Sequence, residues 1–218
     1  MTPKFLLFLL SLSLLACKQE GSKTDNFDYK YTDKPDVLSC EQTKTALLQE
    51  ALYAFEDDIV NFYTPEKPDY NRAYSLFVSE ALSNKTDYSK LVSPHSQTIF
   101  EVLKNDNALW SNNKDGSHLN YNHPIFKCIG NSLKDKNFKT TFNALIDTNS
   151  MSLRMINPIL RRQARGMQND KYLATYAALE LFYGKLFDAK IKSQLDEDEA
   201  YEERSGLKDQ GSHEGHNH

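Results

Sequence analysis

Beyond its first sixteen residues the chain has no apolar run near the roughly 20 residues that cross a bilayer. No later segment alternates Val, Ile or Thr with polar residues at the strand period of two. There is no C-x-x-C spacing, which excludes thioredoxin-like redox turnover. No glutamate is followed three residues later by histidine, so the Glu-x-x-His pairs of carboxylate-bridged metal bundles cannot form. Phosphate-binding loops, dinucleotide fingerprints and nucleophile elbows are missing too. Ser117 beside His118 is no triad, because neighbours in sequence rarely orient for proton transfer. No enzymatic activity and no cofactor is implied. The formal charge is −4, and Lys4 is the sole charge in the first sixteen residues, which leaves −5 for the remainder. That acidity argues against nucleic acid as a partner.

What is present begins at the N-terminus. Lys4 precedes an apolar run from Phe5 to Ala16, interrupted by Ser11 and Ser13. The run is too short to span a membrane and suits the h-region of a secretory leader. Leu14-Leu15-Ala16-Cys17 resembles the lipobox of bacterial lipoproteins, a resemblance confined to the leader. It implies removal of residues 1–16 as a signal peptide and lipidation of Cys17, palmitate included. The protein would then be anchored to a bacterial membrane of the cell envelope, the outer membrane being the expected one. A plain secreted protein cut nearby, or an N-terminal anchor helix, are the alternatives. Lys18-Gln19-Glu20 partly resembles the short lysine-plus-acid export signal of surface lipoproteins in Bacteroidetes-type bacteria; Gln19 departs from it.

Of three cysteines, Cys40 and Cys128 remain after the lipobox. In an oxidising compartment they form an expected disulfide, the alternative being two buried thiols. Residues 17–37 are polar, aperiodic and contain Pro35, so they read as a flexible tether with an end-to-end distance of about 25 Å. Residues 38–194 read as the folded domain. From Asp196 to Glu203 the chain is an acidic block, and a Gly/Ser/His tail follows; residues 195–218 are expected to be disordered.

Within 38–194 the period is helical. Ser39 and Gln42 have capping-box spacing ahead of Leu47, Leu48, Ala51, Leu52, Phe55, Ile59 and Phe62. Asp69 precedes a second helix, and Ser93-Pro94 marks the start of another. Residues 105–122 form an irregular loop, after which helices resume at Pro124, Phe138 and Met151. Pro158 either kinks one helix or divides two. A last long helix starts at Asn169 or Asp170 and carries an inner stripe from Leu173 to Ile191, with Gly184 placed for a close crossing. The fold class expected is all-α, a compact bundle of six or seven helices.

Three candidate sites emerge. Four of six arginines lie between Arg154 and Arg165. Arg154, Arg161 and Arg165 fall along one helix face with Arg162 beside them, a grouping that suits anions or an acidic partner. Trp110, His118 and His123 flank the loop and suit a ligand pocket. His213, His216 and His218 could hold a metal ion, although His213-Glu214 is spaced one residue too short for H-E-x-x-H. Glu50, Asp57 and Asp58 are expected to face water, and Glu180, flanked by Leu179 and Leu181, is expected at the surface. The pattern as a whole reads as a lipid-anchored binding or scaffolding module acting through a protein or envelope polymer. One alternative is a binder of small ligands or metal through the loop or the tail; another is a hydrolase without a legible motif, which a pocket joining Glu180 or His123 to a second polar group would support and a pocket-free core would exclude.

Overall fold

The computed structural model describes residues 27–41, 43–111 and 116–189. Cys17, Gln42, Ile191, the acidic block and His213, His216 and His218 lie outside the described residues. Eight α-helices are present among the described residues: α1 (Thr45–Tyr63), α2 (Tyr70–Ala81), α3 (Tyr88–Leu91), α4 (Pro94–Lys104), α5 (Pro124–Ser132), α6 (Lys136–Asp147), α7 (Leu153–Gln163) and α8 (Lys171–Ala177). The only β-pairing described is an isolated bridge between Trp110 and Leu119. The chain is all-α, and the helix beyond the expected six or seven is the single turn α3.

α1 is the hub. Its stripe of Leu48, Leu52, Phe55 and Ile59 is buried, and it packs against α2, α4 and α8. Phe55 meets Phe77 edge-on at 5.0 Å and Phe182 at 5.3 Å. Aromatic pairs in this geometry add about 0.5–1.5 kcal/mol beyond their burial. Three expected starts hold. The Asp69 carboxylate accepts from the Arg72 amide at 3.0 Å, Ser93 accepts from Ser96 ahead of Pro94, and Asp170 accepts from Leu173 at 3.1 Å. Pro158 lies inside a single helix, α7.

Four expectations are corrected. α1 begins at Thr45 rather than Leu38, and Ser39 caps nothing; its amide donates to the Tyr172 hydroxyl. The reason is Cys40, which sits at disulfide distance from Cys128 of α5 (Cα–Cα 5.8 Å), so this segment must cross to another helix before α1 can start. Residues 27–37 are not free but form a strap along α1. The amides of Lys30 and Tyr31 donate to Glu50 at 2.7 and 3.1 Å, the Tyr31 hydroxyl donates to Asp57, and the Tyr53 hydroxyl donates to the Pro35 carbonyl. Glu50 and Asp58 therefore do not face water; both are buried, and Asp58 accepts from the Ser93 amide at 3.0 Å. The last helix is not uniform. After α8 the winding widens to a π-turn over Ala178–Phe182 and tightens to a 3-10 turn over Tyr183–Phe187. Gly184 serves this change of winding rather than a helix crossing: a Cβ there would lie 2.9 Å from the Leu179 carbonyl oxygen.

Candidate functional site

Two chain turns build the site. The first is the expected loop, whose described parts, 105–111 and 116–122, lie side by side as the two arms of a short hairpin. The Ser111 amide donates to the His118 carbonyl at 2.7 Å, and the Asn120 amide donates to the Leu109 carbonyl at 2.9 Å. The Asn120 side-chain amide donates to the Ala108 carbonyl, and the Trp110 indole to the Leu103 carbonyl. Gly116, at φ +131°, occupies backbone space that side chains rarely tolerate. The second turn ends α6 at Asn149, whose φ of +50° is the left-handed conformation asparagine accepts best after glycine. The chain then enters α7 through Ser152, which holds the N-cap position with a side chain that accepts no amide.

Between these turns lies a pocket of about 590 Å³, within the roughly 300–1,000 Å³ usual for small-ligand sites. Ser117, Tyr121 and Asn122 line one wall; Asn149, Ser152 and Arg154 line the other. Among the described residues lining it, Arg154 alone carries a charge. The loop and the arginine helix, two separate candidates in the sequence, thus meet at one cavity.

Behind the first wall stands Glu180, 2% exposed, on the π-turn. Its carboxylate accepts from the Ser117 hydroxyl at 2.5 Å and from the Tyr121 hydroxyl at 2.7 Å. Tyr121 and Tyr176 share a hydroxyl contact at 3.3 Å. Burial raises the Glu180 pKa above the usual carboxylate range, and the bonds from Ser117 and Tyr121 oppose that rise. Burial likewise lifts the Tyr121 hydroxyl far above its ordinary value, so it stays protonated and bonded. π-turns are frequent at functional sites, and this one carries a buried acid behind a cavity wall.

Glu180 is a correction to the expected surface position. Every residue from Leu173 to Gly184 is buried, so the element is enclosed on all sides and has no water-facing side for the acid. The signal available in the sequence was the run itself, in which Glu180 is the only charge.

The other expected site residues separate. Trp110 and His118 both pack on Phe187, with ring centroids at 4.9 and 5.0 Å, and the His118 Nε2 meets Asp188 at 2.9 Å. They brace the outside of the hairpin and do not line the pocket. His123 is an N-cap: its Nδ1 accepts from the Ile125 amide at 3.2 Å, and burial lowers its pKa. Arg161 donates to Ser83 at 3.1 Å, which ties α7 to the end of α2, while Arg162 and Arg165 are exposed. No group of three metal-ligating side chains occurs among the described residues. Three further acids of α1 are structural. Glu50 also meets His95 Nε2 at 2.6 Å, Glu56 accepts from Tyr74 and pairs with Lys171 at 2.5 Å, and Asp58 holds the start of α4. In comparisons with known proteins, no family model, no curated protein and no solved structure matches this chain.

Proposed function

We propose that the chain is a binding module of the bacterial cell envelope, lipid-anchored at Cys17, which takes a small polar ligand in the pocket between Tyr121 and Arg154. The observation that carries this reading is the convergence at one cavity of the hairpin hydroxyls, their buried glutamate and the single arginine. The pocket is lined mainly by amide and hydroxyl groups, which suits recognition by directional hydrogen bonds rather than apolar filling. The leader supports the address, and Lys18-Gln19-Glu20 bears on which side of the membrane the body faces. The proposal is confined to binding.

The test is thermal unfolding of the mature chain against a panel of neutral sugars, sugar acids and amino acids. A ligand at a hundred times its Kd stabilises by about 2.7 kcal/mol, a shift of a few degrees that is easily read. Tyr121→Phe should reduce the shift. A panel with no stabilising member sinks the pocket reading. Attachment is tested separately by labelling with a palmitate analogue, where Cys17→Ser should abolish incorporation.

A second reading has its own observation. α7 exposes Arg162 and Met155, which is 52% exposed, and the 3-10 turn that follows (Ala164–Asn169) exposes Arg165, a basic surface with one apolar anchor fit for an acidic protein or envelope polymer. Capture from solubilised envelopes that is lost in Arg162→Ala/Arg165→Ala would favour that face.

A further inference from the structure

The direction of each hydrogen bond around the pocket limits what can enter it. Ser117 spends its one proton on Glu180 and already accepts from the Leu119 amide at 3.0 Å. Tyr121 likewise spends its proton on Glu180 and so accepts from the buried Tyr176 hydroxyl at 3.3 Å, which leaves each of the two oxygens at most one further lone pair. With Glu180 ionised, this wall presents lone pairs to the cavity and no hydroxyl protons. It therefore asks for donors on the ligand. Across the cavity, Arg154 is a donor only, and no described residue forms an ion pair with it. Asn122 and Asn149, between the two walls, can each both donate and accept, which matches a hydroxyl group that does the same.

We infer that the pocket takes an anionic sugar, with its oxyanion on Arg154 and its hydroxyl groups donating to Ser117 and Tyr121. The inference rests on the pocket reading above and adds the ligand's class and its direction in the site. A carboxylate and a phosphate share the chemistry that Arg154 recognises, a bidentate oxyanion. A neutral sugar satisfies the hydroxyl wall alone, and a bare anion satisfies the arginine alone.

The experiment is calorimetry on the mature chain at fixed ionic strength with four probes: D-glucuronate, D-glucose 6-phosphate, D-glucose and inorganic phosphate. The sugar acid, the sugar phosphate or both should bind at least about tenfold tighter than glucose, since a charge-assisted hydrogen bond is worth that or more. Arg154→Ala, an exposed position whose loss leaves the core untouched, should erase that preference. Tyr121→Phe should weaken the anionic sugar about three- to tenfold and leave inorganic phosphate unchanged. Glucose binding as well as the anionic sugars, or a preference that survives Arg154→Ala, overturns the inference while the pocket reading stands. Inorganic phosphate matching glucose 6-phosphate overturns the hydroxyl half. Binding of none of the four overturns the inference, and the wider panel then decides whether the pocket reading falls with it.

Discussion

Buried acids occur in two regions of this molecule, and their partners set them apart. On α1, Glu50, Glu56 and Asp58 are held by backbone amides, a lysine, an imidazole and the core hydroxyl of Tyr74, all from segments that pack on the helix and none lining the pocket. On the π-turn, Glu180 is held by the hydroxyls of two residues that line a cavity. An acid bonded to backbone amides fixes a path for the chain. An acid bonded to side-chain hydroxyls fixes which way those hydroxyls point. The first kind joins elements of the fold, and the second sets the polarity of a binding wall.

The comparison makes predictions of decreasing size. Glu56→Ala should be the most damaging, because it leaves the Tyr74 hydroxyl and the largely buried Lys171 ammonium without their acceptor. Broken buried pairs cost about 3–5 kcal/mol, and with Lys171 a quarter exposed the lower end, about 3 kcal/mol, is expected in urea unfolding. A loss below 1 kcal/mol would place this acid outside the structural group. Glu50→Ala should cost about 1–3 kcal/mol and act locally. Hydrogen exchange at Lys30 and Tyr31 should accelerate while amides of α8 keep their protection; uniform acceleration would contradict a separable strap.

Glu180→Gln should change stability least at acidic pH and differ from the native chain in its pH dependence. The folded-state pKa of Glu180 is raised, so the native chain is favoured while the group is neutral. That contribution is complete below the ordinary carboxylate pKa and is lost as pH rises through the folded value. The difference in urea midpoint between Glu180→Gln and the native chain should therefore grow in the variant's favour as pH rises from about 4 to neutrality. Asp58, also raised by burial, keeps a residual slope in both proteins and cancels in the difference. A flat difference would remove Glu180 from the second group. Smallest of all, Tyr121→Phe should cost about 1 kcal/mol, read from the same urea midpoints, with its main effect on binding.

The sequence made the helical frame legible because α2 and α4 each combine an apolar stripe with a start signal that the structure uses, while α1 was legible from its long stripe alone. Where residues are buried on every side, periodicity carries no information about facing, and both Glu50 and Glu180 were missed for that reason. The strap was missed differently. Tyr31 and Val37 are too sparse to make a stripe, yet they pack because α1 presents acceptors for their backbone amides. Half of the pocket was visible as the arginine cluster and half as the irregular loop. What joined them, the left-handed turn at Asn149, has no signature beyond a residue type common in turns.

The strap also determines how far the body can travel. With Cys17 as the anchor point, ten peptide steps separate it from Phe27, and at 3.3–3.6 Å per residue they span at most about 35 Å. In the lipid-anchored form proposed above, the folded body would be kept on a short leash against the headgroups instead of swinging on the full polar segment. A pull on the anchor would strip Lys30 and Tyr31 from Glu50 first and then arrest at the Cys40–Cys128 link, before any tension reaches the helices that hold the pocket.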